Sequence, residues 1–91
     1  MFARAKIIVQ GKVQGVFYRV FTQKNALKLG LKGWTRNLPN GDVEIICEGD
    51  KESIEELIKK LWEGPPLSKV DNVEICWEEY KSEFKDFTIK Y

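Results

Sequence analysis

Ala5, Ile7 and Val9 alternate with Lys6, Ile8 and Gln10, a period of two that predicts a strand with one apolar inward face. A glycine-containing stretch, Gly11 to Arg19, follows it. From Tyr18 to Leu29 the composition suits a helix, and Gly30 is a natural stop. Its apolar stripe is untidy, because polar Gln23 and Lys24 fall between Val20 and Leu27. Leu31 to Asn37 reads as a second strand. Leu38-Pro39-Asn40-Gly41-Asp42 is a turn into a third strand, Val43 to Glu48, with Val43, Ile45 and Cys47 inward. Lys51 to Glu63 carries the cleanest helical pattern: Ile54, Leu57, Ile58, Leu61 and Trp62 fall on one stripe. Asp50 stands at its N-cap position, Glu52 suits its first turn, and Glu55–Lys59 and Glu56–Lys60 are favourable i,i+4 pairs. Gly64-Pro65-Pro66 ends that helix. Val70 to Tyr80 predicts a fourth strand, with Val73, Ile75 and Trp77 on one face and Glu74, Cys76 and Glu78 on the other. Phe87, Ile89 and Tyr91 predict a short final strand.

The order β-α-β-β-α-β plus a short last strand is the split βαβ pattern. It predicts an α+β, ferredoxin-like sandwich with two helices on one face of an antiparallel sheet. Residues 1–91 are expected to form a single domain. The first strand, first helix and second strand make one crossover unit, so those two strands run parallel and end at the same edge. With the third strand between them, two steps of roughly 4.8 Å separate their ends by about 10 Å. The glycine stretch leaves one end and Asn37 occupies the other. Gly11 and Gly15 let the chain turn tightly, so that successive amides converge in front of a helix N-terminus. Arg19, closing the stretch, can grip an oxyanion with two parallel hydrogen bonds. The result is a candidate anion cradle, with phosphate the leading ligand and room for one water beside it.

Charge narrows the partners. Lysine plus arginine is 15 and aspartate plus glutamate is 14, a net charge of +1 that gives no long-range attraction to nucleic acid or an anionic membrane. Anion binding must therefore be local. There is no histidine, and Cys47 and Cys76 belong to no metal-binding cluster, so no metal is expected. The two cysteines are expected to be free, buried thiols in a reducing cytoplasm. No signal-like segment follows Met1, and no stretch approaches the roughly 18 apolar residues of a membrane span. Twelve lysines and ten glutamates against four asparagines and three glutamines suggest the ion-paired surface of a thermophile. Phe17 and Tyr18 read as packing residues, and Trp34, Trp62 and Trp77 as core or half-buried aromatics.

Gly11-Lys12-Val13-Gln14-Gly15-Val16-Phe17-Tyr18-Arg19 resembles the acylphosphatase signature, G-x-V-Q-G-V-x-[FY]-R. Gly33-Trp34-Thr35-Arg36-Asn37, with Asn40-Gly41 after it, resembles that family's second motif, and Phe87 to Tyr91 resembles its C-terminus. The resemblance covers nearly the whole chain, and the size suggests a stand-alone enzyme. It implies hydrolysis of acyl phosphates to a carboxylate and phosphate, without metal or organic cofactor. Carried over by motif position, Arg19 and the amides of Gln14, Gly15, Val16, Phe17, Tyr18 and Arg19 bind the phosphoryl group. Asn37 positions the attacking water. The expected partners are a small acyl phosphate and inorganic phosphate as product inhibitor, acting on a monomer with no nucleic acid and no membrane.

The chemistry agrees with the residues present. An acyl phosphate is a mixed anhydride whose carboxylate departs without protonation, so the lack of histidine is no obstacle. The loop lacks a Walker GK[ST] ending and the G-x-G-x-x-G fingerprint. It holds no Cys, Ser or Thr for a covalent intermediate. Two competing readings are a non-catalytic ferredoxin-like module for small anions and RNA binding on the open sheet face. The second lacks both the aromatic RNP motif and a positive net charge.

Overall fold

Seven elements follow in the expected order: β1 (Phe2–Lys12), α1 (Tyr18–Lys28), β2 (Lys32–Asn37), β3 (Val43–Asp50), α2 (Lys51–Glu63), β4 (Lys69–Glu78) and β5 (Phe87–Lys90). They are seen in a computed structural model that describes residues 1–91. The sheet order is β4-β1-β3-β2-β5. β1 pairs antiparallel with both β3 and β4, and β2 pairs antiparallel with β3. β5 runs parallel to β2, so the sheet as a whole is mixed. Because β1 and β2 both oppose β3, they run parallel to each other, and their C-terminal ends share an edge with β3 between them.

The core lies between the helices and one sheet face. Ala5, Ile7 and Val9 from β1 and Val43, Ile45 and Cys47 from β3 are fully buried there, as their alternation predicts. Ile54, Leu57 and Leu61 of α2 meet them, with Ile58 partly buried and Trp62 at the rim. Asp50 caps α2, its Oδ1 accepting the Glu52 N–H at 3.0 Å. The expected i,i+4 ion pairs do not form; Lys59 turns to Glu56 one position nearer, at 3.4 Å.

α1 corrects the expectation most. Val20 and Leu27 are 42% and 50% exposed, and the buried stripe is Tyr18, Thr22 and Ala26. Two of these carry hydroxyls, and each hydroxyl finds an acceptor. Tyr18 donates to the Leu61 carbonyl at 2.6 Å and Thr22 to the Tyr18 carbonyl at 2.9 Å. With those bonds made, burial no longer strands a polar group. Burial pushes the Tyr18 phenol well above its ordinary pKa.

β4 keeps the predicted alternation, but only Val73 is buried. Ile75 and Trp77 point to the helix side yet stay partly exposed at the sheet edge. The strand ends at Glu78, two residues short of Tyr80. Cys76 faces the open side and is exposed, so only Cys47 is a buried thiol. Burial pushes the Cys47 thiol up to about 12. β5 stops at Lys90, leaving Tyr91 outside the strand and exposed.

On the open face Arg4 gathers three carboxylates from far along the chain. Its Nη1 donates to Glu48 at 3.3 Å and to Glu83 at 2.8 Å, and its Nε to Glu78 at 2.9 Å. Glu48 also accepts the amides of Lys81 and Glu83, at 2.8 and 2.9 Å. These bonds fasten the link between β4 and β5 across the sheet.

Candidate active site

The loop between β1 and α1 is built from a few constraints. Gly11 belongs to the end of β1 rather than to the turn, at a bulge next to Gln10 with φ of 129°. A Cβ there would collide with the Lys69 carbonyl on β4, so this glycine is needed for strand approach. The turn itself is made by Gly15 and Phe17, both left-handed, with φ of 72° and 65°. Val13 and Val16 plug into the core on either side of Gly15. Gln14 Nε2 donates to the carbonyls of Leu38 and Asp42, each at 2.8 Å, and so ties the loop to the β2–β3 turn. Phe17 is not the packing residue expected; its ring is 76% exposed.

The backbone amides from Gly15 to Arg19 donate to no backbone carbonyl. The side chains that do accept backbone amides lie elsewhere in the chain. α1 has no capping side chain and no acidic residue in its first turn. Donors and helix dipole therefore converge without a partner from the protein, the arrangement that favours an anion.

This amide run opens on a cleft of ≈ 250 Å³ walled by Gly15, Phe17, Tyr18, Arg19 and Asn37, with Ile89 and Tyr91 behind. That is below the ~300–1,000 Å³ typical of sites for drug-sized ligands, and it suits a small substrate. Arg19 brings the cleft's only charged side chain. Its Nη1 donates to the Lys90 carbonyl at 3.0 Å, and its guanidinium lies 4.7 Å from the centre of the Tyr91 ring. Asn37 stands at the end of β2, where its Oδ1 is buried without a hydrogen-bond partner. An unsatisfied buried acceptor is costly unless something donates to it.

Of the residues predicted for the site, Gly15, Phe17, Tyr18, Arg19 and Asn37 meet at the cleft. Gln14 and Val16 are not among its walls. Two features went unread in the sequence. Ile89 and Tyr91 form a wall, and the Lys90 carbonyl restrains Arg19. The alternation of Phe87, Ile89 and Tyr91 marked a strand, but nothing in it says that the strand lies beside β2.

A model of the acylphosphatase family matches residues 5–89. The chain belongs to the acylphosphatase family. An acylphosphatase of Pelotomaculum thermopropionicum is 47% identical over 89 residues, covering 98% of this chain and 97% of its own. The crystal structure of the acylphosphatase from Bacillus subtilis superposes with a TM-score of 0.94 at 35% identity, covering both chains fully. The structure of an acylphosphatase from Coxiella burnetii gives 0.93 at 40% identity, covering 98% of this chain and 93% of the other. The protein is accordingly an enzyme with acylphosphatase activity, and its substrates are small acyl phosphates. No helix is long and apolar enough to cross a membrane.

Proposed function

We propose that the phosphoryl group of an acyl phosphate sits on the amides of Gln14 to Arg19 and the Arg19 guanidinium, and that Asn37 holds the attacking water. One juxtaposition carries this reading: Gly15, Phe17, Tyr18 and Arg19, whose amides have no partner, and Asn37, whose Oδ1 has none, line one small cleft. Asn37 Oδ1 accepts a hydrogen bond from the water and turns its lone pair toward phosphorus. The water oxygen bonds to phosphorus while the bond to the acyl oxygen breaks. The carboxylate leaves with that electron pair, and the proton released by the water passes to a phosphate oxygen. Charge building on the equatorial oxygens meets preorganised donors, the main resource of phosphoryl transfer that lacks a covalent step. Inorganic phosphate fits the same cradle and inhibits. The domain acts as a cytoplasmic monomer and needs no metal.

The test is phosphate release from benzoyl phosphate. Arg19→Ala should cut kcat/KM by at least about 10³-fold, beyond the ~10²–10³ typical of one lost donor, because it removes a charge. It should weaken inhibition by phosphate in parallel. Asn37→Ala should cut kcat by about 10²-fold while the inhibition constant for phosphate stays within about twofold. Normal turnover in a folded Asn37→Ala protein would remove Asn37 from the mechanism. No phosphate release by the unaltered chain would refute the whole assignment.

A further inference from the structure

Beside the cleft lies a second, more open hollow of ≈ 560 Å³. The two share Arg19, Asn37 and Tyr91 as walls; the second adds Arg36, Lys90 and the Leu38-Pro39 turn. Three of its side chains are positive and none is negative, in a chain whose net charge is only +1. Arg36 and Lys90 stand directly opposite each other on the parallel strands β2 and β5. Like charges facing across neighbouring strands are destabilising.

Of this pair, Arg36 has one carboxylate partner, which it shares, and Lys90 has none. Arg36 Nε donates to Glu44 at 2.6 Å, but Glu44 also serves Lys6 at 3.6 Å. Lys90 forms no ion pair; its ammonium rests on the Trp34 ring, 4.2 Å from the centre. The Arg36 guanidinium lies 5.2 Å from the same ring. Trp34 thus holds both cations near one place by cation–π attraction, leaving the Arg36 Nη donors and the Lys90 ammonium available.

We infer that this hollow receives the acyl portion of the substrate, and that Arg36 and Lys90 select acyl phosphates carrying a second anion, a carboxylate or a phosphate, on the acyl side. The inference rests on the reading of the neighbouring cleft as the phosphoryl site. Elsewhere the cleft wall is apolar, with Val13, Val20 and Ile89 offering a charged acyl group no partner. The acyl group leaves past Arg19 and Asn37, the walls common to both hollows, and so arrives between Arg36 and Lys90. A neutral acyl group finds no partner there, whereas a negative one relieves the opposition of the two cations. Two partly exposed cations on one anion are worth on the order of a tenfold preference at low salt.

Benzoyl phosphate and 3-carboxybenzoyl phosphate test this, since they share shape and leaving chemistry and differ in one carboxylate. The quantity read is the ratio of their kcat/KM values within each protein, so that a general loss of activity cancels. The unaltered chain should favour the carboxylated substrate by about tenfold. The double variant Arg36→Gln, Lys90→Gln should bring the ratio to about one. Lys90→Gln alone has no ion pair to lose and should reduce the ratio to about threefold. That variant preserves the test if loss of the Glu44 partner unfolds the double one. Lys28→Gln, at the far end of α1, should leave the ratio unchanged and so exclude a general charge effect. A phosphonate in place of the carboxylate tells which anion the hollow prefers. Hydrolysis of benzoyl phosphate with a ratio near one overturns the subsite and leaves the phosphoryl site standing. A tenfold ratio that survives both variants overturns it equally. Failure to hydrolyse either compound refutes the phosphoryl site itself.

Discussion

Phe17 holds a left-handed backbone that costs a non-glycine residue about 1–3 kcal/mol, and its exposed ring recovers little of that by packing. Its neighbours must hold it there. Val13 and Val16 do so from the core, and Gln14 does so by its two bonds to the β2–β3 turn. Gln14→Ala should therefore lower stability by about 1–3 kcal/mol, as two hydrogen bonds of ordinary worth are lost. It should also raise KM for benzoyl phosphate, because the amides lose their fixed aim. Urea unfolding together with steady-state kinetics checks both; a stability loss with unchanged KM would separate the clamp from the cradle. At this scale the motif was legible and the clamp was not. The acceptors of Gln14 are backbone carbonyls 24 and 28 residues away, with no sequence signature of their own. The sequence therefore exposed Gln14 as a loop amide and concealed its side chain.

Among the elements, α2 could be read outright and α1 only from its flanks. The α2 core positions are all aliphatic, so hydropathy marks them. α1 buries Tyr18, Thr22 and Ala26, a stripe that hydropathy cannot see because its burial depends on hydrogen bonds. The Leu61 carbonyl that Tyr18 satisfies lies in the last turn of α2, among the carbonyls left without an intrahelical partner. Tyr18→Phe should expose that deficit and cost about 1–3 kcal/mol. This corresponds to a fall in Tm of about 4–8 °C per kcal/mol for a domain of this size. A thermal melt unchanged within a degree would mean that water replaces the phenol there. β4 fails in a different way. Its alternation was right, but β4 is the outermost strand, paired with β1 alone, so its helix-facing residues lie at the margin of the core. The outer strand is left partly bare, and Ile75 and Trp77 with it.

For the whole molecule, a net charge of +1 describes the total and hides two concentrations. One is the positive hollow at Arg19, Arg36 and Lys90; the other is the Arg4 cluster on the open face. Arg4 meets carboxylates 44, 74 and 79 residues away, separations that only the sheet order brings together. Three of the protein's ion pairs meet at Arg4, and two more meet at Glu44, which serves Lys6 and Arg36. Glu48 sits at the centre of the Arg4 cluster. Burial alone would raise its carboxyl, but the amides of Lys81 and Glu83 and the Arg4 guanidinium hold it below the ordinary carboxylate value. The unfolded chain then binds a proton at this site at a higher pH than the folded one, so folding gains from Glu48 above about pH 4.3. The gain disappears as the pH falls through the depressed folded value. Glu48→Gln cannot titrate and leaves Arg4 with one carboxylate fewer, at a cost of about 3 kcal/mol near neutrality. Thermal melts from pH 7 to pH 2 should show the variant well below the unaltered chain at pH 6–7. The two should converge as the pH falls through the depressed native value, where the folded carboxyl also takes its proton. A gap that stayed constant across that range would mean that Glu48 holds the β4–β5 link by shape and neutral hydrogen bonds rather than by charge.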